Sequence, residues 1–389
     1  MTSADIALQL VVTVHEGRPD GLELVLERLQ PYEPKKIVEW TLGDGDDHAL
    51  VGLYQLSEAA PVHIVEDLNR QSGIDLEWNA ALSACATPND PRYEEQWALG
   101  RISAEAAWGC AGPPAAVTVA VIDSGIAAAH PDLVGRVDAR SRRIMGSTTD
   151  LNIEDEDGHG TFLSGTIAAV ANNLIGVAGV CGPVPVGIMA LKFYDPWTPL
   201  NAAYAAHAIV FAVQHHADVI NASWHVGMFN QTLFNAVKHA RNRGVVFVAA
   251  AGNEGTNNDQ LPVWPASFAL PNVISVMASR RPLVTPPNAL DDKPGFSNYG
   301  AGTVHIGAPG DRNLSTHYYL GTPLYRNYTG TSASAAHVSG AAALLKALRP
   351  AMTPSQIRSH LIATADPSPY LPCIAQGRLN LRRAVCELP

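Results

Sequence analysis

Five largely apolar runs constrain this chain more than any other feature: Val117 to Ile122, Pro185 to Phe193, Asp218 to Ser223, Val245 to Ala251 and Val273 to Val276. A strand buried on both faces reads as an unbroken hydrophobic run rather than an alternating one. Between these runs lie helical segments, Asn201 to Ala217 and Asn230 to Arg243, the second stopped by Gly244 at a left-handed cap. Apolar strands joined by helical crossovers predict an α/β fold, a doubly wound parallel sheet with helices on both faces. Ligands and chemistry gather at the carboxyl ends of such strands.

The amino-terminal fifth follows a different pattern. Strand signals at Ile6 to Val14, Lys36 to Leu42, Ala49 to Leu56 and Gly73 to Trp78 alternate with helical periodicity at Leu22, Val25, Leu26, Leu29 and at Val62, Val65, Leu68. The order βαββαβ predicts a small ferredoxin-like α+β domain. Residues 1 to 83 carry 5 Lys/Arg against 15 Asp/Glu and the remainder 21 of each, so the whole formal charge of -10 sits before residue 84. The small-residue stretch Ala80 to Ala86 and the turn Thr87-Pro88-Asn89-Asp90-Pro91 then read as a linker. We expect domains at 1–83 and 96–389, with 84–95 as linker and start of the larger domain.

Charge and length exclude other classes. An acidic chain lacks the clustered Lys and Arg on which nucleic-acid affinity is built. Ile6 to Val14 is about half the roughly 20 residues a membrane crossing needs and has no basic leader or cleavage site, so we expect no membrane span and, for the chain as written, an intracellular protein; a chain shortened from a longer one would be secreted. Five cysteines without CxxC spacing make neither a disulfide framework nor a zinc site; Cys373 with Cys386 is the one pairing considered, in an oxidising compartment, and unpaired packing is expected.

Four short segments stand where a parallel sheet does its chemistry. Asp123 follows Val119-Ala120-Val121-Ile122 directly, before Ser124 and Gly125; His159 lies in Asp157-Gly158-His159-Gly160-Thr161 at the opening of a small-residue helix. Asn253 ends the run Ala249-Ala250-Ala251-Gly252, and Ser332 begins an Ala-rich helix after Gly330-Thr331. Singly these are a turn aspartate, a structural histidine, a turn asparagine and an N-cap serine. Together they supply each part of a nucleophilic mechanism once: a hydroxyl, an imidazole to take its proton, a carboxylate to orient the imidazole, and an amide donor for the oxyanion. The order Asp, His, Ser differs from the chymotrypsin order, and the Gly-x-Ser-x-Gly elbow of α/β-hydrolases is missing.

These motifs, with His130-Pro131-Asp132-Leu133, Phe296-Ser297-Asn298-Tyr299-Gly300, Ala308-Pro309-Gly310, His337-Val338-Ser339-Gly340 and Gly377-Arg378-Leu379-Asn380, resemble those of the subtilisin-like serine proteases from about Thr87 to Val385. Pro88 to Pro91 with Gln96-Trp97 resembles the start of the mature enzyme in thermitase relatives. The resemblance implies a subtilisin-like fold and a serine endopeptidase acting through an acyl-enzyme on Ser332, with His159 as general base, Asp123 as its orienting carboxylate, and Asn253 with the Ser332 N–H as oxyanion hole. It implies that the acidic amino-terminal domain is a propeptide, an intramolecular chaperone and inhibitor, and that Ser223-Trp224-His225 with Gly252 binds an extended peptide substrate. The family usually has leucine and then glycine where this chain has Trp224 and His225, so side-chain preference does not carry over and a crowded approach is expected. Phe162 stands where a second histidine is common, Ala336 where proline is common, and Ala333 where methionine follows the nucleophile. Neither Phe162 nor Ala336 donates catalytic atoms, and loss of the thioether predicts tolerance to peroxide.

The resemblance also implies a structural calcium, none being needed for catalysis: carbonyls of Ala171, Ile175 and Val177, the amide oxygen of Asn173, and carboxylates of Asp90 and Asp132 make an oxygen set that suits the ion. The acidic run Glu154-Asp155-Glu156-Asp157 reads as a solvated loop. Three rival readings remain at this stage: a catalytically silent peptide-binding protein, a transpeptidase or macrocyclase using the same acyl-enzyme, and a nucleotide-binding Rossmann protein, for which Gly176-Val177-Ala178-Gly179 is the wrong spacing.

Overall fold

The computed structural model describes residues 9–15, 20–42, 49–57, 62–71, 74–78, 87–112, 114–145, 148–281, 291–319 and 321–388. The expected strand residues Ile6 to Leu8 and Gly73, and the linker Ala80 to Ala86, lie outside them. The chain divides into two compact units, Met1–Ala84 and Cys85–Pro389.

The first unit runs β1 (Gln9–His15), α1 (Gly21–Leu29), β2 (Lys35–Leu42), β3 (Ala49–Gln55), α2 (Val62–Asn69) and β4 (Ile74–Trp78). The strands form an antiparallel sheet in the order β2-β3-β1-β4. Val12 and Val14 of β1 face Val25 and Leu29 of α1 and Val65 and Leu68 of α2 in one core. Residues two apart along β1 and three or four apart along each helix therefore share one buried side.

The second unit is built on a ten-stranded sheet in the order β15-β16-β12-β11-β10-β9-β5-β8-β6-β7. Its centre is β5 (Val117–Asp123), flanked by β8 (Val186–Lys192) and β9 (Val219–Ala222), with β10 (Val246–Ala250), β11 (Val273–Ser279) and β12 (Ile306–Pro309) continuing beyond β9. Pairing is parallel from β6 (Arg142–Met145) through β16 (Gly377–Arg378); β7 (Thr148–Asp150) and β15 (Asp366–Pro367) close the two edges antiparallel.

The doubly wound expectation holds residue by residue in β5. Val119 and Val121 join the core that contains α5 (His159–Ala168) and α8 (Thr331–Leu348), while Ala120 and Ile122 join the one that contains α6 (Ala202–Gln214) and α7 (Gln231–Asn242). Both faces of the strand are covered, which is why its sequence shows no alternation. Shorter helices complete the unit: α3 (Trp97–Arg101), α4 (Ala104–Gly109), α9 (Pro354–Ala363), which opens on a Thr353/Gln356 capping box, and α10 (Leu381–Cys386). The antiparallel hairpin β13 (Asn313–Tyr319) and β14 (Thr322–Tyr328) was not expected: Pro323 and the exposed, largely polar face of β14 hide it from a hydrophobic-pattern search.

The cysteine reading needs correction. Cys110, at the end of α4, is bonded to Cys386, at the end of α10, with Cα atoms 5.4 Å apart across 276 residues of chain. Cys373 stays free and buried, as does Cys181. Closeness in sequence suggested the wrong partner, because the packing of α4 against α10 is a tertiary event.

Candidate active site

Asp123 is the last residue of β5, and its carboxylate is 1 % exposed. Oδ1 accepts hydrogen bonds from the Ser124 amide at 2.9 Å, from His159 Nδ1 at 2.8 Å and from the Tyr194 hydroxyl at 3.0 Å, whereas Oδ2 is buried without a partner. His159 opens α5, and its ring is 20 % exposed. Two glycines bring the elements this close. A Cβ on Gly160 would lie 2.2 Å from the Gly125 carbonyl oxygen, and one on Gly125, itself at φ +124°, would lie 2.6 Å from Ile153 O. Without side chains there, the turn after β5 and the first turn of α5 pack backbone to backbone. The Gly160 amide donates to Ser124 Oγ at 2.9 Å across the join.

Burial works against the imidazolium of His159, but the Asp123 charge and hydrogen bond, with Asp157 and Asp155 behind them, outweigh it and hold the ring above its ordinary value. The acidic run is only in part the solvated loop expected: Glu154 and Asp157 are exposed, but Asp155 is not. Asp155 is fully buried; its Oδ1 accepts from the Asp157 and Gly158 amides, and its Oδ2 from the Thr161 amide at 2.8 Å and hydroxyl at 2.6 Å. It thus satisfies amides at the start of α5 that have no partner within the helix. Lys192, 1 % exposed at the end of β8, donates to Glu154 O at 2.6 Å and pairs with Glu156. The one charged residue in an otherwise apolar strand run was the signal for this anchor.

Ser332 is the second residue of α8, where first-turn amides lack intrahelical acceptors and the helix dipole is positive. Its Oγ donates to Ser223 O at 3.1 Å, and Ser223 Oγ donates back to Ser332 O at 3.0 Å. Asn221 Nδ2 supports Ser223 Oγ at 3.0 Å while its Oδ1 accepts from Ser339 of α8 at 2.9 Å. A buried asparagine inside an apolar strand was the readable sign of this network. The Thr331 amide and hydroxyl hold Asn253 Oδ1 at 2.9 and 3.0 Å, so the carboxamide oxygen is committed and its NH2 remains the donor. Gly252, at φ +108°, has no room for a side chain: a Cβ would meet Asn298 Nδ2 at 2.4 Å.

The structure therefore joins Asp123 to His159, Ser332 to Ser223, and Asn253 to Thr331 next to Ser332, at the carboxyl ends of β5, β9 and β10. Tyr328, four residues ahead of Ser332, sets its ring edge-on to His159 with centroids 6.1 Å apart and packs on Phe162 at 4.7 Å. Among the described residues His159 and Ser332 share no hydrogen bond; the hydroxyl is turned to Ser223 O instead. Catalytic hydrogen bonds commonly tighten only when substrate is bound.

Of the expected peptide-binding residues, Trp224 has its side chain in the core. Its indole is buried, donates to Ile122 O at 2.9 Å and packs on Phe193 at 5.3 Å, so it belongs to the core and not to a substrate pocket. Strand parity explains this: Ile220, Ala222 and Trp224 share the face that packs on α6 and α7. His225 faces the other way, with Nε2 3.3 Å from Glu254 Oε1, and Glu254 Oε2 accepts from the Asn253 amide at 3.0 Å. Among the described residues Trp224 and His225 have no main-chain hydrogen-bond partner, and pairing resumes at Val226 with Trp264.

The loop 171–177 gathers the residues expected to bind calcium. Asp132 is fully buried; its Oδ1 accepts from Asn173 Nδ2 at 3.0 Å and its Oδ2 from the Val177 amide at 2.9 Å, while burial pushes its pKa up. Asp90 Oδ2 accepts from the Asn172 amide at 2.8 Å, and its buried Oδ1 has no partner. Asn173 Oδ1 takes the Ile175 amide at 2.8 Å. Among the described residues the carbonyls of Ala171, Ile175 and Val177 accept no main-chain hydrogen bond. Two buried carboxylates, one with an orphaned oxygen, beside free carbonyls are a donor set that fits a hard cation. The described residues hold no group of three or more His, Cys, Asp or Glu side chains suited to a metal, so this set depends on main-chain oxygens.

Residues 115–382 match the model of the Subtilase family. Thermitase of Thermoactinomyces vulgaris is 35% identical over 301 residues, covering 77% of this chain and 99% of its own. The thermophilic serine proteinase of Bacillus sp. (strain AK1) is 34% identical over 328 residues, 83% of this chain and 75% of its own. Among solved structures, a protease of Pseudoalteromonas arctica superposes with a TM-score of 0.67 at 29% identity, covering 78% of this chain and 99% of its own. Fervidolysin of Fervidobacterium pennivorans, a keratinolytic enzyme, does so with a TM-score of 0.64 at 25% identity over 98% of this chain and 61% of its own. With the parallel sheet and the residues at its carboxyl edge, these likenesses establish that the chain belongs to the subtilase family of serine proteases.

Proposed function

We propose that this subtilase is an endopeptidase working through an acyl-enzyme on Ser332, made as a precursor that its own amino-terminal unit inhibits. The observation that carries the reading is the 2.8 Å hydrogen bond between His159 Nδ1 and a buried Asp123 carboxylate at the carboxyl ends of the central strands, where Ser332 and Asn253 also stand. Nδ1 is engaged by the carboxylate, so Nε2 is the nitrogen left to take the Ser332 proton once a substrate carbonyl draws the hydroxyl away from Ser223 O. The proton passes from Oγ to Nε2 as the Oγ–C bond forms. The developing oxyanion meets Asn253 Nδ2 and the Ser332 amide, and the proton is then delivered to the leaving amine. The unpaired main chain at Trp224 and His225 would add an extended peptide as a further strand, holding the scissile bond beside Ser332.

Calcium would be held by Asp90, Asp132, Asn173 and the carbonyls of Ala171, Ile175 and Val177, where it offsets buried negative charge and stiffens the loop; it takes no part in bond cleavage. Residues 1–83 act as intramolecular inhibitor and chaperone, and 84–95 as linker and start of the mature region, with the cut on activation in the small-residue stretch before Thr87. The Cys110–Cys386 pair supports work in an oxidising compartment.

Mass spectrometry of the full chain and of Ser332→Ala after a fluorophosphonate tests this. An adduct on Ser332 and a new amino terminus near residue 84, both absent from the variant, are expected. An unlabelled wild type that retains its first residues would leave a silent peptide-binding protein.

A further inference from the structure

Three donors converge on one oxygen of Asp123, the Ser124 amide, His159 Nδ1 and a phenol, and the mechanism above uses only the imidazole. The third is the Tyr194 hydroxyl, 3.0 Å from Oδ1. Tyr194 follows β8 by two residues and is held there by the main chain: the Phe193 amide donates to Asp123 O at 3.0 Å, tying the exit of β8 to that of β5. Phe193 wedges between Trp224 and Tyr194, with ring centroids 5.3 Å from each. The phenol also meets the hydroxyl of Ser124, whose oxygen accepts the Gly160 amide. Burial and the neighbouring Asp123 push the Tyr194 pKa far up, so the group stays a neutral O–H donor throughout the working range.

We infer that Tyr194 is a positioning residue for catalysis, whose hydroxyl clamps the Asp123 carboxylate and divides the acceptor strength of Oδ1 between phenol and imidazole. The inference rests on the triad reading. The positive end of the O–H dipole points at the oxygen that faces His159, so it weakens the field stabilising the imidazolium. The charged and titratable groups around this centre are Asp123, Asp157 and Asp155, with Tyr328 edge-on to the imidazole, His317 behind Tyr328, and the Lys192–Glu156 pair holding the acidic loop. Among the described residues none of these other groups donates to Asp123 Oδ1, so beside the imidazole and the main-chain amide of Ser124, Tyr194 is the side chain that adjusts that oxygen.

The test is Tyr194→Phe in the full chain, read by the pH profile of kcat/KM and, in a Ser332→Ala background, by NMR titration of the His159 imidazole. Both pKa values are expected to rise by about half a unit, since a donor to the partner carboxylate has gone. Difluorotyrosine at position 194, a stronger donor of nearly the same shape, moves both downward and decides the matter should the phenylalanine variant fold poorly. In an Asp123→Asn background, where Oδ1 is a neutral and weaker acceptor, Tyr194→Phe should move the imidazole less. A His159 titration unchanged within about 0.1 unit by both replacements overturns the role of Tyr194. Full proteolysis by Ser332→Ala would instead overturn the triad reading.

Discussion

Asp123→Asn separates what the buried charge does from what its geometry does. Oδ1 accepts the Ser124 amide, a main-chain donor that cannot reverse, so the asparagine oxygen is held at that position. The new NH2 then occupies the buried Oδ2 site, where the carboxylate oxygen has no hydrogen-bond partner, and an NH2 left equally unpaired costs about 1–3 kcal/mol in stability. His159 Nδ1–H keeps an acceptor and hence the productive tautomer. What disappears is the charge. Two unit charges about 4 Å apart at an effective dielectric of about 20 interact by about 4 kcal/mol, or a factor of about 10³ in kcat. Reversal of the tautomer would raise the loss to about 10⁴. The pH dependence follows with its sign. With His159 as the proposed base, activity falls as pH drops through its pKa, which in the wild type lies above the ordinary imidazole value of about 6.5. Removing the Asp123 charge leaves burial opposed only by Asp157 and Asp155, so the acid limb of kcat/KM moves down. The raised folded-state pKa also means that protonated His159 contributes stability that is fully present below about pH 6.5, is lost as pH rises through the folded-state pKa, and is diminished in the variant. Fluorogenic casein from pH 5 to 9, with Ser332→Ala as blank, measures both effects. A loss under about tenfold, or an acid limb that stays or rises, refutes the electrostatic argument.

Asn253→Ala should lower kcat by about 10²–10³ with little change in KM, a magnitude with direct precedent in a subtilisin rather than one obtained from this geometry; single-turnover kinetics check it. Lys192→Met leaves Glu154 O without its donor and frees the Glu156 carboxylate, which is 29% exposed and can turn to water, so a loss of roughly 2 kcal/mol is expected in thermal unfolding. Chelation should lower Tm and added calcium restore it, while Asp90→Ala, which removes the orphaned oxygen, should abolish the response; calorimetry with and without the ion decides. Ala333, buried beside Ser332, offers no thioether, and activity should survive peroxide that inactivates a methionine-bearing relative.

Local chemistry was legible before any coordinates. An aspartate leaving a strand, a histidine and a serine opening helices, and an asparagine closing a strand each announce their position, because strand exits and helix starts are set by neighbours a few residues away. The unbroken apolar run of β5 likewise foretold a sheet covered on both faces. The inward direction of Trp224 is also written in the two-residue period it shares with Ile220 and Ala222.

Other features had no local signature. A tyrosine two residues past a strand looks the same whether it faces water or a carboxylate 71 residues back in the chain. Cys110 finds Cys386 across 276 residues only because two short helices pack together. Asp155 reads as one acid among four until the start of α5 closes over it. Sequence by itself determined the inventory of reacting groups and the elements that present them, since propensity and pattern act over a few residues. Which oxygen each donor reaches, which side chain turns inward and which charge loses its water were decided by tertiary packing, because hydrogen bonding and burial depend on atoms that the chain brings from far away.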